Sequence, residues 1–361
     1  MFTKNSFTRR RFFGAAVMAV GAAEKAFGFA GTSFNKKNIM DMLPLELDSL
    51  SSADAWINSP SLTSANLKGK LVLIDFCTYT CINWIRTLPY IRAWVAKYKA
   101  HGLVVIGVHT PEFVFEKNIN NVRMALKSMM IDYPIAIDND YTIWDGFNNR
   151  YWPALYLVDA EGRVRHQQFG EGEYGKAELM IRQLLSSAHR NDLPNEDFEV
   201  EANGVEAPAD WNSLASGENY LGYDRTENFA SPGGALLNKR HVYSTPAKLS
   251  LNHWALSGDW TVQKQAVLLH SANGLITCCF HARDLHLVMG PVKLGTSSKF
   301  RVRLDEGPPG SAHGLDVDEQ GYGILKEQRL YQLIRQQNQI VHRQFEIEFY
   351  EEAEVFAFTF G

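Results

Sequence analysis

The stretch "DFCTYTCINWIRTLP", residues 75–89, carries two thiols, Cys77 and Cys81, and thiols that close invite disulfide exchange. Their spacing is unusual. Dithiol sites place the cysteines three apart, because residues i and i+3 meet on the first turn of a helix. Three after Cys81 stands Trp84. Cys81 is expected at the first turn of a helix, where unpaired backbone N–H groups and the helix dipole favour thiolate over thiol. That makes it a candidate nucleophile; the competing reading is an inert core cysteine. A second thiolate normally attacks the mixed disulfide and releases the product. Trp84 cannot do so, and Cys77 is the local substitute. In an extended chain its Cα would lie about 13 Å from that of Cys81, whereas a disulfide needs roughly 4.4–6.8 Å. Thr78, Tyr79 and Thr80 must therefore bend the chain. A working Cys77–Cys81 pair and one-thiol chemistry at Cys81 both remain open, as does binding without turnover.

The surrounding pattern supplies the elements that hold these residues. "KLVLIDF" has the length and composition of a buried strand. Ile82, Ile85, Leu88, Ile91, Trp94, Val95 and Tyr98 then recur at helical steps, ending at His101-Gly102. Pro89 falls inside this helix and is expected to kink it, since proline lacks an N–H. "LVVIGV" is a second buried strand, followed by a helix through Val122 and Met129. "YPIAID" reads as a short strand and "YTIWDGF" as a short helix. "ALYLVDAEGRVRHQQF" reads as a hairpin turning at Ala160-Glu161-Gly162, and "KAELMIRQLLSSA" as a closing helix. "WINSPSLTSANLKGK" reads as a lead-in loop. The order implies a mixed sheet with helices on its faces.

The chain has 361 residues, enough for two domains, and 45% hydrophobic content is ample for packed cores. A net charge of -4, with no basic cluster beyond the N-terminus, argues against nucleic acid. Four cysteines are too few for a disulfide scaffold. At the N-terminus, Arg9, Arg10 and Arg11 precede a small, apolar stretch from Gly14 to Ala23. It is shorter than the roughly 20 residues that span a bilayer. "TRRRFF" is similar to a twin-arginine signal, and Gly28-Phe29-Ala30 offers a cleavage site. Residues 1–30 are thus expected to be an export signal and the protein to work in the periplasm or another extracytoplasmic space. No other apolar run is long enough for a transmembrane helix.

Residues 31–190 are expected to form the α/β domain with its lead-in, and the polar, Pro/Gly-bearing 191–218 a linker. Residues 219–361 hold many short strands spaced by turns, such as "GDWTVQKQAVLL", "KFRVRLDEG" and "RQFEIEFYEE". That pattern implies an all-β sandwich, jelly-roll-like. Within it, Cys278 and Cys279 are adjacent in a strand and point to opposite faces. Asp316, Asp318 and Gly321 lack the full calcium-loop pattern and read as a solvated loop. His241, His253, His281 and His286 show no zinc spacing. Trp254 and Trp260 could line a carbohydrate site, though core positions are the default for tryptophans in such a module.

Taken together, Asp75 six before Cys81, Pro89 eight after it, Trp152-Pro153 before "ALYLVD", "VVIGVHTPEF", "NRYWPALYLVDAEGRVRH" and "FRVRLDEGPPGSAHGLDVDEQGYG" carry a resemblance. Residues 43–190 resemble a thioredoxin-fold domain of the TlpA/AhpC-TSA (redoxin) group. The whole is similar to the exported C-terminal portion of DipZ-type proteins, without their membrane-embedded relay domain. The family site reads roughly W-T-Y-T-C-I-N-C; here the tryptophan and the second cysteine have changed places. The resemblance implies thiol–disulfide exchange with protein thiols and disulfides, fed by an unidentified electron donor, with no cofactor and no metal. It implies Cys81 as nucleophile, Asp75 as a buried proton acceptor, and a cis Pro153 facing Cys81. Trp152 and Trp84 would join Pro153 in the substrate cleft. The bland alternative for Asp75 is an ion pair with Lys70 or Lys97. The β module would take a carbohydrate or a protein. A non-catalytic binding protein is the rival class. A thiol peroxidase is weaker, because Ile74 stands where that pattern needs proline and Thr78 alone fits it.

Overall fold

In the computed structural model of the chain, residues 45–187, 193, 200–337 and 339–361 are described. The expected export signal lies outside the described residues. A helical turn α1 (Leu45–Asp48) leads to strand β1 (Ala55–Ile57), the turn α2 (Ser64–Leu67) and strand β2 (Leu71–Cys77). There follow α3 (Ile82–Ile85), α4 (Leu88–Tyr98), β3 (Leu103–His109), α5 (Ile119–Ser128), β4 (Ile135–Ile137) and α6 (Thr142–Gly146). The hairpin β5 (Ala154–Val158) and β6 (Val164–Phe169) and the helix α7 (Tyr174–Ser187) complete this part. The six strands lie in the order β1-β4-β3-β2-β5-β6. The β2–β3 and β3–β4 pairs are parallel, the rest antiparallel. This is a thioredoxin-like α/β sheet.

Two local readings change. Ala55–Ile57 is not lead-in loop but an edge strand paired with β4; three residues are too few to show a period. The helix after Cys81 is not one kinked helix. It breaks between Ile85 and Leu88, and Pro89 sits in the first turn of α4. There its missing N–H has no intrahelical acceptor to lose, so proline starts a helix rather than bending one.

Every residue of β2 is buried, so both faces of the sheet are covered. Val72, Ile74 and Phe76 pack with Ile143, Trp144 and Tyr156. Leu71, Leu73 and Cys77 face the other way, onto Trp84, Leu88, Ile91 and Trp94. The alternation places Asp75 on the same face as Cys77.

The second part is built from β7 (Asn219–Tyr220), β8 (Arg240–Tyr243), β9 (Trp254–Val262), β10 (Val267–Leu269), β11 (Gly274–Phe280) and β12 (Asp284–Pro291). It continues through β13 (Ser298–Leu304), β14 (Tyr322–Leu325), β15 (Arg329–Arg335), β16 (Arg343–Phe349) and β17 (Ala353–Phe360). They make one large curled antiparallel sheet, in the order β14-β13-β16-β11-β9-β10-β17-β12-β15. The curl passes through β9. Its first half pairs with β11 and its second with β10 and β8. Gly258 sits at the handover with φ +102°, a conformation that L side chains rarely adopt. Closing the sheet this way buries Trp254 and Trp260 at 1% and 0% exposure, so both are core residues rather than an exposed platform for a sugar. Asp316 accepts from Arg329 and the Gln332 N–H, and Asp318 from the Gln320 and Tyr322 N–H groups. Cys278 is core and Cys279 half-buried.

The two sheets share a core. Ala266, Val288, Leu330, Phe356 and Ala357 from the β part pack into the cluster that holds Cys77, Tyr79 and Trp84. Phe356 meets Phe113 and Phe115 at ring distances of 5.2 and 4.6 Å. On another side of the contact, the buried Arg86 pairs with Glu171 at 3.0 Å. A Cβ at Gly361 would collide with its guanidinium.

Candidate functional site

Cys77 ends β2, and the chain then turns: the Cys81 N–H bonds the Thr78 carbonyl at 3.1 Å. Cys81 is the residue immediately before α3. Its Sγ lies 3.9 Å from the carbonyl oxygen of Trp152. The Trp152–Pro153 peptide bond is cis. The loop before β5 therefore faces the thiol, with backbone groups beside it. Trp152 is held by rings at 4.4 Å (Trp144) and 6.5 Å (Tyr141). Cys77 is wholly buried, its Sγ near Gly107 of β3. Both cysteines are free thiols.

The expected acidification of Cys81 is not what the site produces. Burial pushes its pKa well above the ordinary thiol value, and Glu112 and Glu218 push it the same way; the Trp84 and Asn83 N–H groups pull against them. The reason lies in the elements. α3 has four residues, so few aligned peptides back its N-terminus. Two carboxylates and the removal of water outweigh two N–H groups. Cys77 is likewise held protonated by burial, then by Asp75, Glu116 and Cys81.

Trp84 occupies the core rather than the cleft. It is 0% exposed, so in this conformation it presents no surface to a substrate. Its Nε1–H donates to Asp75 Oδ2 at 2.9 Å. Thus the buried acid is bonded by the residue that stands where a second thiol is expected. It is not paired with Lys97, which bridges Glu178 at 2.8 Å; Lys70 is exposed, and Asp75 is not. The second oxygen, Oδ1, has no hydrogen-bond partner among the described residues. Asp75 is close enough to Cys77 to raise the pKa of that thiol.

Burial raises Asp75 to about 7, against the opposing bond from Trp84. The folded state thus binds its proton more tightly than the unfolded chain does. The stability this contributes is complete below the ordinary value of 3.8 and is lost as pH rises through about 7. Asp75→Asn keeps an acceptor for Trp84 and cannot ionise. The stability of the wild type relative to Asp75→Asn is therefore expected to fall steadily between about pH 4 and 7. Denaturant melts at several pH values measure this, since other titrating groups cancel in the difference. A flat difference would mean that Asp75 is not desolvated.

Sequence reasoning missed an acidic set around the loop that carries Cys81. Glu116 is 0% exposed. Its Oε1 accepts from the Thr80 hydroxyl at 2.6 Å, and its Oε2 from the Glu112 and Phe113 N–H groups at 2.6 and 2.8 Å. Burial pushes it up to about 7. Glu112 in turn accepts from Tyr220 (2.7 Å) and Arg225 (2.9 Å) of the β part. The available signal was Glu116 itself, an acid within the apolar run "FVFEK". A cavity of about 970 Å³ between the two parts has Tyr79, Asn121 and Gln328 among its lining, so it lies behind the loop and not at Cys81.

Residues 45–167 match the AhpC/TSA family, and residues 216–361 match the family described as thioredoxin-like C-terminal domain. The chain is similar to the protein DipZ of Mycobacterium bovis and of Mycobacterium tuberculosis, each 38% identical over 251 residues. That stretch is 69% of this chain and 35% of each relative, so the chain spans about a third of their length. It is also similar to the thiol-disulfide oxidoreductase YkuV of Bacillus subtilis, 27% identical over 38% of this chain and 92% of that one. A solved thioredoxin-like protein in its oxidised form is 29% identical over 37% of this chain and 90% of its own, with a TM-score of 0.35. The chain is a redoxin thioredoxin-fold protein that resembles DipZ, with an AhpC/TSA-type domain followed by a thioredoxin-like C-terminal domain.

Proposed function

We propose that this chain exchanges disulfides with extracytoplasmic proteins, after export by the twin-arginine route, and that Cys81 is the nucleophile. The division into a signal (1–30), a thioredoxin-like domain (31–190), a linker (191–218) and a β module (219–361) belongs to the same reading. Cys81 gives up its proton, which the departing sulfur will take, and attacks one sulfur of a substrate disulfide laid beside Pro153. The substrate S–S bond breaks, a mixed disulfide forms, and the departing sulfur takes up a proton. Cys77 then loses its proton to Asp75 and attacks Cys81. The second substrate sulfur leaves and is protonated in turn, Asp75 giving up the proton it took, and a Cys77–Cys81 disulfide remains. Two electrons have passed to the substrate, and a thiol donor restores the pair. The Thr78–Cys81 turn bends the chain between the two cysteines, which supports this pairing.

The observation that carries the reading is the Cys81 thiol facing the carbonyl of a cis Trp152–Pro153 bond. The relatives named as thiol-disulfide oxidoreductases agree with it. Cys81→Ser is expected to abolish reduction of a test protein disulfide by the thiol-supplied protein. Cys77→Ser should instead accumulate the mixed disulfide, seen as a covalent adduct by mass spectrometry. Activity surviving Cys81→Ser would refute the assignment. One observation favours a second reading, a binding protein without turnover: Trp84 fills the second thiol's place, and Cys81 is held protonated. It predicts that Cys81→Ser leaves partner capture intact.

A further inference from the structure

The loop that carries Cys81 is held through Tyr79, which bonds the Gln328 carbonyl and stacks on His109, and, next to the thiol itself, through a buried side chain of the loop after β3. Thr80, the residue just before Cys81, is 1% exposed, and its hydroxyl ends on Glu116 Oε1 at 2.6 Å. The other oxygen of Glu116 gathers two successive backbone N–H groups, those of Glu112 and Phe113. Those same two residues also touch the β part. Glu112 receives Tyr220 and Arg225, and Phe113 lies against Phe356. A carboxylate in the core is expensive unless its lone pairs are met. Here they are met by three donors, each at 2.8 Å or less, drawn from the loop that carries Cys81 and from the docking loop.

We propose that Glu116 is a positioning residue for Cys81, and that it makes the placement of the thiol depend on the docking of the β module. This rests on the reading of Cys81 as the nucleophile. The chain of contacts runs from Arg225 and Tyr220 through Glu112 and Phe113 to Glu116, then to Thr80 and the thiol. Loosening any link frees the loop. It exposes a sulfur that is now half-buried and misplaces it relative to the cis-proline loop.

Glu116→Gln is informative because the amide can keep all three bonds. Its oxygen can accept both N–H groups, and its NH2 can donate to the Thr80 oxygen. Thr80→Val removes the donor at constant shape, while Thr80→Ser restores it. The full chain is reduced, and the iodoacetamide alkylation rate of Cys81 is measured by peptide mapping alongside turnover of a test disulfide and the melting temperature. Thr80→Val is expected to raise alkylation about tenfold while lowering turnover by a similar factor. Glu116→Gln and Thr80→Ser should stay within about twofold of wild type. Arg225→Ala should raise alkylation severalfold in the wild-type background and leave it unchanged in the Thr80→Val background.

A folded Thr80→Val protein that matches Thr80→Ser in both rates would overturn the proposal. So would an Arg225→Ala effect of equal size in the two backgrounds. Failure of the exchange reading would show elsewhere, as turnover that survives Cys81→Ser. It would not alter the alkylation comparison.

Discussion

Exchanging the two residues, Cys77→Trp together with Trp84→Cys, is expected to raise turnover of a test disulfide by about tenfold or more, because a tethered attacking thiol has a high effective concentration. The argument starts from placement. Cys81 precedes α3, so residue 84 lies in the first turn above it, where a thiol meets its neighbour without distortion of the loop. At present that position holds an indole, and the second thiol sits at the end of β2, buried, near Gly107. To reach Cys81 it must leave that packing. The exchange removes this step. It also frees Asp75 from the indole and returns it to the side of the new thiol. The large side chain moves to a position on the same face of β2, so the volume of the cluster is nearly kept. Stopped-flow or insulin-precipitation assays measure the change. A folded double variant no faster than its parent would mean that the arrangement of the thiols does not limit the reaction.

The second large effect concerns stability. Trp84→Ala should cost about 3–5 kcal/mol, the usual range for emptying a large aromatic site in a core. Trp84 is fully buried among Leu88, Ile91 and Trp94, close to where the two sheets share their packing. The same change strips Asp75 of its hydrogen-bond donor. Trp84→Phe separates the two contributions. It keeps most of the ring and loses the Nε1 bond, so it should cost about 1–3 kcal/mol. Denaturant unfolding gives both values. Equal losses in the two variants would show that the Asp75 bond, and not the ring, is what matters. No loss in either would contradict the packing.

The fold was largely legible because strong patterns lie where the core is. β2 and β3 are continuous apolar runs, and in a sheet covered on both faces such runs are what burial demands. The β part announced itself by short strands and turns. What was not legible was short or shared. β1 is three residues long and borrows its pairing from β4, which lies about 80 positions later. The break before Leu88 could not be told from a kink, since proline suits both. At the site, cysteine types and spacing singled out Cys81 and Cys77, and the structure sets the Cys81 thiol beside the Trp152 carbonyl, next to Pro153. The charge state of Cys81 was misjudged, because it depends on Glu112, on Glu218 from the other part, and on how much water is excluded. None of these is local in sequence. Trp84 was placed in the cleft by its position in the chain; only its side-chain direction, toward Asp75, turns it inward. Glu116 went unnoticed for the same reason, since its partner Thr80 is 36 positions away.

The rings of Phe113, Phe115 and Phe356 have a practical bearing on truncation experiments. A cut in the connecting segment would bare an aromatic, Leu- and Val-bearing surface on both fragments at once. Fragments with such a surface tend to stick to themselves and to chaperones. A silent thioredoxin-like fragment would therefore not show that the missing half performs chemistry. Point changes at the seam, made in the intact chain, are the cleaner way to learn what each half contributes.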